Sequence, residues 1–216
     1  MMEASQPTEN EIKLRTRKTL LWFGIISIIM LFAGLTSAYI VRQSEGKWAQ
    51  FDLPSTFIIS TLIIALSSIP MELSLRSAKR GAYSDLNKWL IITLLMGFGF
   101  VISQYFAWSD LFHNGIAFSS RISDIRTGYT YVPAGSESMT EASGVGNVSA
   151  SFLYAITALH ILHLAGGILA LFVVLSRAAR KKYTSTDYTG VSLCATYWHF
   201  LGVLWVYLFF FLYFVR

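Results

Sequence analysis

Cysteine is almost absent from this 216-residue chain: Cys194 is the only one. A single thiol excludes an internal disulfide and any multi-cysteine zinc or iron–sulfur site, and its place in an apolar run fits a small buried residue. Charge is also scarce, at 13% of residues against 54% hydrophobic, with a mean hydropathy of +0.53. That balance lies outside the usual range of soluble domains, so the solvent for much of this fold is lipid. Only four prolines occur, and Pro70 is the only one inside a long apolar run. There is no glycine-rich phosphate loop, no nucleophile constellation and no internal repeat.

Long apolar runs are what the chain has instead. A helix rises about 1.5 Å per residue, so roughly 20 apolar residues cross a hydrocarbon core. Five windows qualify, at about 20–41, 56–75, 89–111, 151–176 and 191–215. Transmembrane barrels show short alternating segments, not unbroken runs. The expected fold class is therefore all-α, a polytopic membrane bundle of five transmembrane helices. Residues 1–18 form a tail whose first dozen residues look mobile, and 19–216 form one domain with a long loop at about 112–150. The apolar part of the first span exceeds a signal-peptide core, which favours a retained anchor.

Basic residues orient the bundle. Lys13, Arg15, Arg17 and Lys18 precede the first span, Arg76, Lys79, Arg80 and Lys88 lie between the second and third, and Arg177, Arg180, Lys181 and Lys182 follow the fourth. The remaining five, Arg42, Lys47, Arg121, Arg126 and Arg216, fall on the other side. The positive-inside tendency then puts the N-terminus inside and the C-terminus outside. The net charge of +5 reads as topology, with attraction to anionic headgroups second, and needs no nucleic acid.

Loops leave little room for a second domain. The short loop 42–55 carries Trp48, read as an interfacial anchor. The loop 112–150 is rich in Ser, Gly, Thr and Tyr, and its patch Val145-Gly146-Asn147-Val148-Ser149 reads as flexible connector. Its length suits ordering by a partner.

Polar residues inside lipid are costly and therefore informative. His160 and His163, three apart, share a helical face. With His199 they are candidate metal or haem ligands, His113 being the one other histidine, but no Asp or Glu in spans four or five completes a set. The alternative is that these imidazoles are neutral and hydrogen-bond across helices. Glu72, four residues before Arg76, suits an i,i+4 ion pair near the headgroups or a proton-relay carboxylate. Gln104 reads as interhelical glue and Asp110 as an interfacial residue. Ala33/Ser37, Gly34/Ala38 and Gly166/Ala170 are small pairs that permit close helix approach. Phe209, Phe210, Phe211, Tyr213 and Phe214 encircle the last helix too completely to face one core.

The run Ala158-Leu159-His160-Ile161-Leu162-His163, followed by Gly166-Gly167, resembles the paired-histidine helix of subunit III of haem-copper oxidases. Tyr197-Trp198-His199-Phe200-Leu201-Gly202-Val203-Leu204-Trp205 resembles the last-helix signature of that family, at a similar separation. Ser27 to Tyr39 is similar to the helix that opens its five-helix core. Size and span number resemble the short bacterial form, which lacks two N-terminal helices. The chain departs from the family pattern at Ile28, where many members carry a buried glutamate, at Ala107-Trp108, where a Glu-Tyr pair is common, and at Gly202, where an aspartate is usual.

The resemblance implies a non-redox accessory subunit of a proton-pumping terminal oxidase in the bacterial plasma membrane. Haems and copper would reside in subunits I and II and none in this chain, which would pack beside subunit I, bind phospholipid and support proton uptake and sustained turnover. A further respiratory complex could be contacted through the long loop. Two other classes stay open on the residues alone. A small haem- or copper-binding redox protein would use His160 or His163 with His199, and a transporter subunit would show broken helices or repeats.

Overall fold

The computed structural model describes residues 9–132, 146–185 and 187–215. Its helices are α1 (Glu9–Ser44), α2 (Thr56–Lys79), α3 (Tyr83–His113), α4 (Val148–Ala179) and α5 (Thr189–Phe214). All five are long and apolar enough to cross a membrane. The expected all-α bundle of five spans is what is found, with one addition: strands β1 (Trp48–Phe51) and β2 (Tyr129–Val132) pair antiparallel, from Trp48 opposite Val132 to Phe51 opposite Tyr129. The sheet marks one end of the bundle. The α2–α3 and α4–α5 turns, with their Lys and Arg clusters, mark the other, called here the basic end.

Four helices close a ring, α2 against α3, α3 against α4, α4 against α5 and α5 against α2, while α1 leans on α4 and α5 from outside. The α2–α3 contact is the most extensive of these. Its sequence cause is a row of serines in an apolar helix. Ser60, Ser67 and Ser74 are fully buried at seven-residue intervals, which places them on one stripe of α2. Each donates to the carbonyl three residues back, at 2.9, 2.6 and 2.7 Å. Small side chains with self-satisfied hydroxyls let neighbouring helices approach closely where lipid supplies no hydrophobic drive. The turn between α2 and α3 is tight, and Gly81 takes φ +70° there, a backbone state that favours glycine.

Several sequence expectations need correction. The first helix begins at Glu9, and a Lys13–Glu9 pair at 2.5 Å supports its first turn. Helix therefore covers the second half of the proposed tail, because basic and acidic side chains at i,i+4 sustain helix outside lipid. Residues 1–8 lie outside the described set. Trp48 is no interfacial anchor: it is 1% exposed, wedged against Tyr39 at 4.7 Å and Phe152 at 6.2 Å between ring centroids. Strand pairing turns it inward, because β1 lies on α4.

The described part of the connector patch, residues 146–149, also has structure. Asn147 caps α4, its Oδ1 accepting from the Ala150 amide at 3.1 Å, and the neighbouring Ser149 hydroxyl, 2.8 Å from that oxygen, donates to the Ala49 carbonyl at 2.6 Å. A side-chain oxygen that satisfies an orphan helix amide defines an N-terminus, not a connector. The long loop is likewise ordered within the chain where it is described. Gly115 takes φ +77°, and a Cβ there would lie 1.7 Å from the Asp124 carbonyl oxygen, so the loop folds back against the end of α3. Residues 133–145 of that loop lie outside the described residues.

The small pairs of α1 do not serve packing within this chain. Ala33, Gly34, Ser37 and Ala38 are all exposed, and nothing lies within 4 Å of a Cβ built on Gly34. The stripe that α1 buries is Ile25, Ile28, Phe32, Thr36 and Tyr39, at the spacing of one helical face. The aromatics of α5 divide as their number required: Phe209 and Phe211 are buried, Phe210 and Phe214 exposed.

Candidate functional site

The two motifs meet where α4 crosses α5. Gly167 lets them touch, since a Cβ there would come within 3.0 Å of Leu201 Cδ1 and 3.5 Å of the Tyr197 ring. Tyr197 then donates its hydroxyl proton to the His163 carbonyl at 3.2 Å. Gly166 borders the same hydroxyl, at 3.9 Å from its Cβ position.

Trp198 points the other way, between α2 and α3. Its indole edge would sit 2.7 Å from a Cβ on Gly97, so glycine on α3 opens the slot that the ring fills. Its Nε1 donates to Ser67 Oγ at 2.9 Å. Seven residues on, Trp205 repeats the arrangement and donates to Thr61 Oγ1 at 3.0 Å. On the opposite side of the ring, Trp108 of α3 donates to Thr157 Oγ1 of α4 at 3.2 Å. Three indoles thus find three hydroxyls on neighbouring helices, which answers the requirement that a buried N–H be partnered. The tryptophans are visible in the sequence. Their acceptors were missed, although the heptad spacing of Ser60, Ser67 and Ser74 was the available signal.

Gln104 donates from Nε2 to Ser60 Oγ at 2.7 Å, tying α3 to α2, while its Oε1 has no protein partner. Glu72 accepts from Arg76 Nε at 3.0 Å within α2. Both side chains are substantially exposed, so the pair lies on the rim and not in the core.

The three intramembrane histidines do not converge. His160 is completely buried and neither ring nitrogen has a hydrogen-bond partner. Aromatic rings surround it, with centroids of Trp205, Phe100 and Phe32 at 4.9, 5.9 and 6.4 Å. His163 lies beside Phe32 at 5.7 Å, and its Nδ1 is 2.7 Å from the Leu159 carbonyl. His199 sits elsewhere, half-buried on α5, on the side of that helix where Gly202 approaches Ser68 of α2. One residue beyond Trp198, it is rotated about 100° around the helix from the indole. Among the described residues no group of three or more His, Cys, Asp or Glu side chains is placed to share a metal ion.

The positions where the family pattern is broken have definite surroundings. Ile28 belongs to an apolar cluster with Phe32, Tyr39, Leu204 and Leu208. Gly202 faces α2, its Cβ position 3.7 Å from Ser68 Oγ. Ala107 is buried in the ring core.

Comparison with known proteins agrees with this layout. The family described as cytochrome c oxidase subunit III matches residues 129–216, which contain both motif helices. A probable cytochrome c oxidase subunit 3 of Mycobacterium leprae is 31% identical over 206 residues, covering 92% of this chain and 86% of that protein. A counterpart in Nocardia farcinica is 30% identical with the same coverage. The cytochrome c oxidase subunit 3 of Thermostichus vulcanus is 29% identical over 88% of this chain and 82% of its own length. Five membrane-spanning helices, the paired-histidine and tryptophan motifs at their crossing, and relatives matched across nearly the whole length place this chain in the cytochrome c oxidase subunit III family.

Proposed function

We propose that this chain is the non-redox accessory subunit of a proton-pumping haem-copper terminal oxidase. It packs against subunit I in a bacterial plasma membrane, with its basic end in the cytoplasm. It binds phospholipid there and supports proton uptake and sustained turnover, while electron transfer and oxygen reduction proceed in the partner subunits.

The observation that carries this reading is what the motif side chains do. Tyr197, Trp198 and Trp205 each donate across a helix boundary, and Gly167 and Gly97 provide the close approaches these rings need. His160 is enclosed by apolar rings and His199 lies on another seam. Indole and phenol donors thus build the scaffold, while the histidines that a redox protein would use as axial ligands stand apart.

The test is to purify the tagged chain in mild detergent and record reduced-minus-oxidised spectra before and after its partners are stripped away. Haem bands that leave with a large subunit are the expected result. Haem or copper retained by the isolated chain would overturn the reading.

A further inference from the structure

The perimeter of the bundle is not uniformly suited to lipid. The outward stripes of α3 and α4 are apolar, with Leu95, Leu162, Leu169 and Phe172 among the most exposed side chains. The outward seam between α2 and α5 is different, because Glu72, Arg76 and His199 stand there among Ile69 and Val203. Two contacts bring these groups onto one stretch of the seam. Trp198 reaches Ser67 and Gly202 approaches Ser68, so the helix turns carrying His199 and Glu72 are neighbours.

Depth makes the polarity significant. Glu72 lies seven residues inside the α2 end at Lys79, and His199 lies ten inside the α5 start at Thr189. At 1.5 Å per residue these are about 10 and 15 Å from the basic end. Arg76 sits closer to that end, and its long side chain can carry charge toward the headgroups. The His199 imidazole is short, lies deeper, is half-buried and has no hydrogen-bond partner among the described residues. Ionisable side chains within spans almost always face a bundle interior, an aqueous cavity or one another. This one faces outward from its own chain.

We propose that the α2/α5 seam is the docking face for a transmembrane helix of the oxidase core subunit, one that presents a hydroxyl or amide level with His199. The proposal rests on the reading of the chain as an oxidase subunit. A neutral imidazole offers one donor and one acceptor, and a polar side chain on the facing helix satisfies them as interhelical hydrogen bonds do in membranes. The ring places α3 and α4 on the far side, where their apolar stripes face lipid. The small-residue stripe of α1, Gly24, Ser27, Gly34 and Ala38, is the competing face, but it carries no ionisable group that requires a cover.

Photocrosslinking in the intact complex in native membranes tests this. A benzoylphenylalanine probe replaces Val203, Ile69, Leu95, Leu169 or Leu31 one at a time. Adducts with the haem-bearing subunit are expected from Val203 and Ile69, at several times the yield from the other three positions. In parallel, His199→Leu is expected to lower the share of chain retained with haem after a detergent wash about threefold, the size of one interhelical hydrogen bond in a membrane. Lipid-only adducts from Val203 in a chain that still copurifies with haem would overturn the docking face alone. Core-subunit adducts from Leu95, Leu169 or Leu31 at equal or higher yield would do the same. A chain recovered without haem or a large partner would refute the oxidase assignment and the proposal with it.

Discussion

Two seams of the same helix are built on different principles. Where α5 meets α2, two fully buried indoles donate to hydroxyls at 2.9 and 3.0 Å, and a serine row opens the space they occupy. Where α5 meets α1, a long hydrogen bond runs from Tyr207 to Thr36 at 3.4 Å, beside ring packing such as Tyr39 against Phe211 at 5.2 Å between centroids. Lipid tails are as apolar as leucine, so shape alone gives a membrane seam little advantage over solvation by lipid. The ring of four helices is therefore specified by directional bonds, and α1 is placed by fit. The difference teaches where the chain is stiff and where it depends on its surroundings.

The largest effect expected is at the stiff seam. Trp198→Ala removes a fully buried ring from a slot between Gly97 and Ser67. Truncations of this kind cost about 3–5 kcal/mol, readable as a shift in the detergent-induced unfolding of the purified chain. A cost below about 1 kcal/mol, the ordinary range for unremarkable substitutions, would mean that the indole is not the pin of the ring.

Next in size is Ser67→Ala, which leaves that indole N–H buried without an acceptor at a cost of about 1–3 kcal/mol. The same substitution in a Trp198→Phe background should cost little, because no donor is then stranded. The double-mutant cycle isolates the bond from the packing. Additive effects in that cycle would erase the directional character assigned to this seam.

What was legible in advance follows the same division. Five spans are readable because lipid imposes length and apolarity on every helix that crosses it. Trp198 and Trp205 stand out because their indoles are large and polar-tipped. Ser67 and Thr61 do not, since a hydroxyl in an apolar run can always bond its own helix, and only the fold shows that these two also serve a neighbour. Trp48 was misplaced for a related reason. Aromatic residues near span ends are commonly interfacial, and nothing local in loop 42–55 announces that a distant strand, with Val132 opposite Trp48, pairs with it and turns it inward. The small pairs of α1 were visible, but no pattern within one chain says whether such a face meets its own bundle or something outside it.

A third prediction changes sign. His160 contributes two unpartnered nitrogens to an aromatic enclosure between α1, α3 and α5. Replacing it with an apolar ring removes groups that water would otherwise solvate, so His160→Phe should stabilise the chain by about 1 kcal/mol. Destabilisation of that size would show that the imidazole holds a hydrogen bond in the membrane, and the interior beside α1 would then be as directional as the α2 seam.

The smallest effect is expected from Tyr207→Phe, and it bears most directly on how α1 is held. The Tyr207–Thr36 distance of 3.4 Å lies beyond the usual range for a hydroxyl pair. Thr36 Oγ1 already donates to the Phe32 carbonyl at 3.0 Å, so losing Tyr207 strands no donor on α1. The ring that remains can still stack on Phe211, whose centroid is 6.2 Å away. Interhelical hydrogen bonds in membranes average about 0.6 kcal/mol, and this long, half-exposed one should fall below that. The same unfolding measurement used for Ser67→Ala reads it. A loss matching that of Ser67→Ala would make α1 a fifth member of the bonded ring. A near-zero loss leaves α1 positioned by the fit of Phe32, Tyr39 and Ile28, whose apolar contacts lipid or a partner helix can replace, so that its stability in the membrane depends on what lies against its other face.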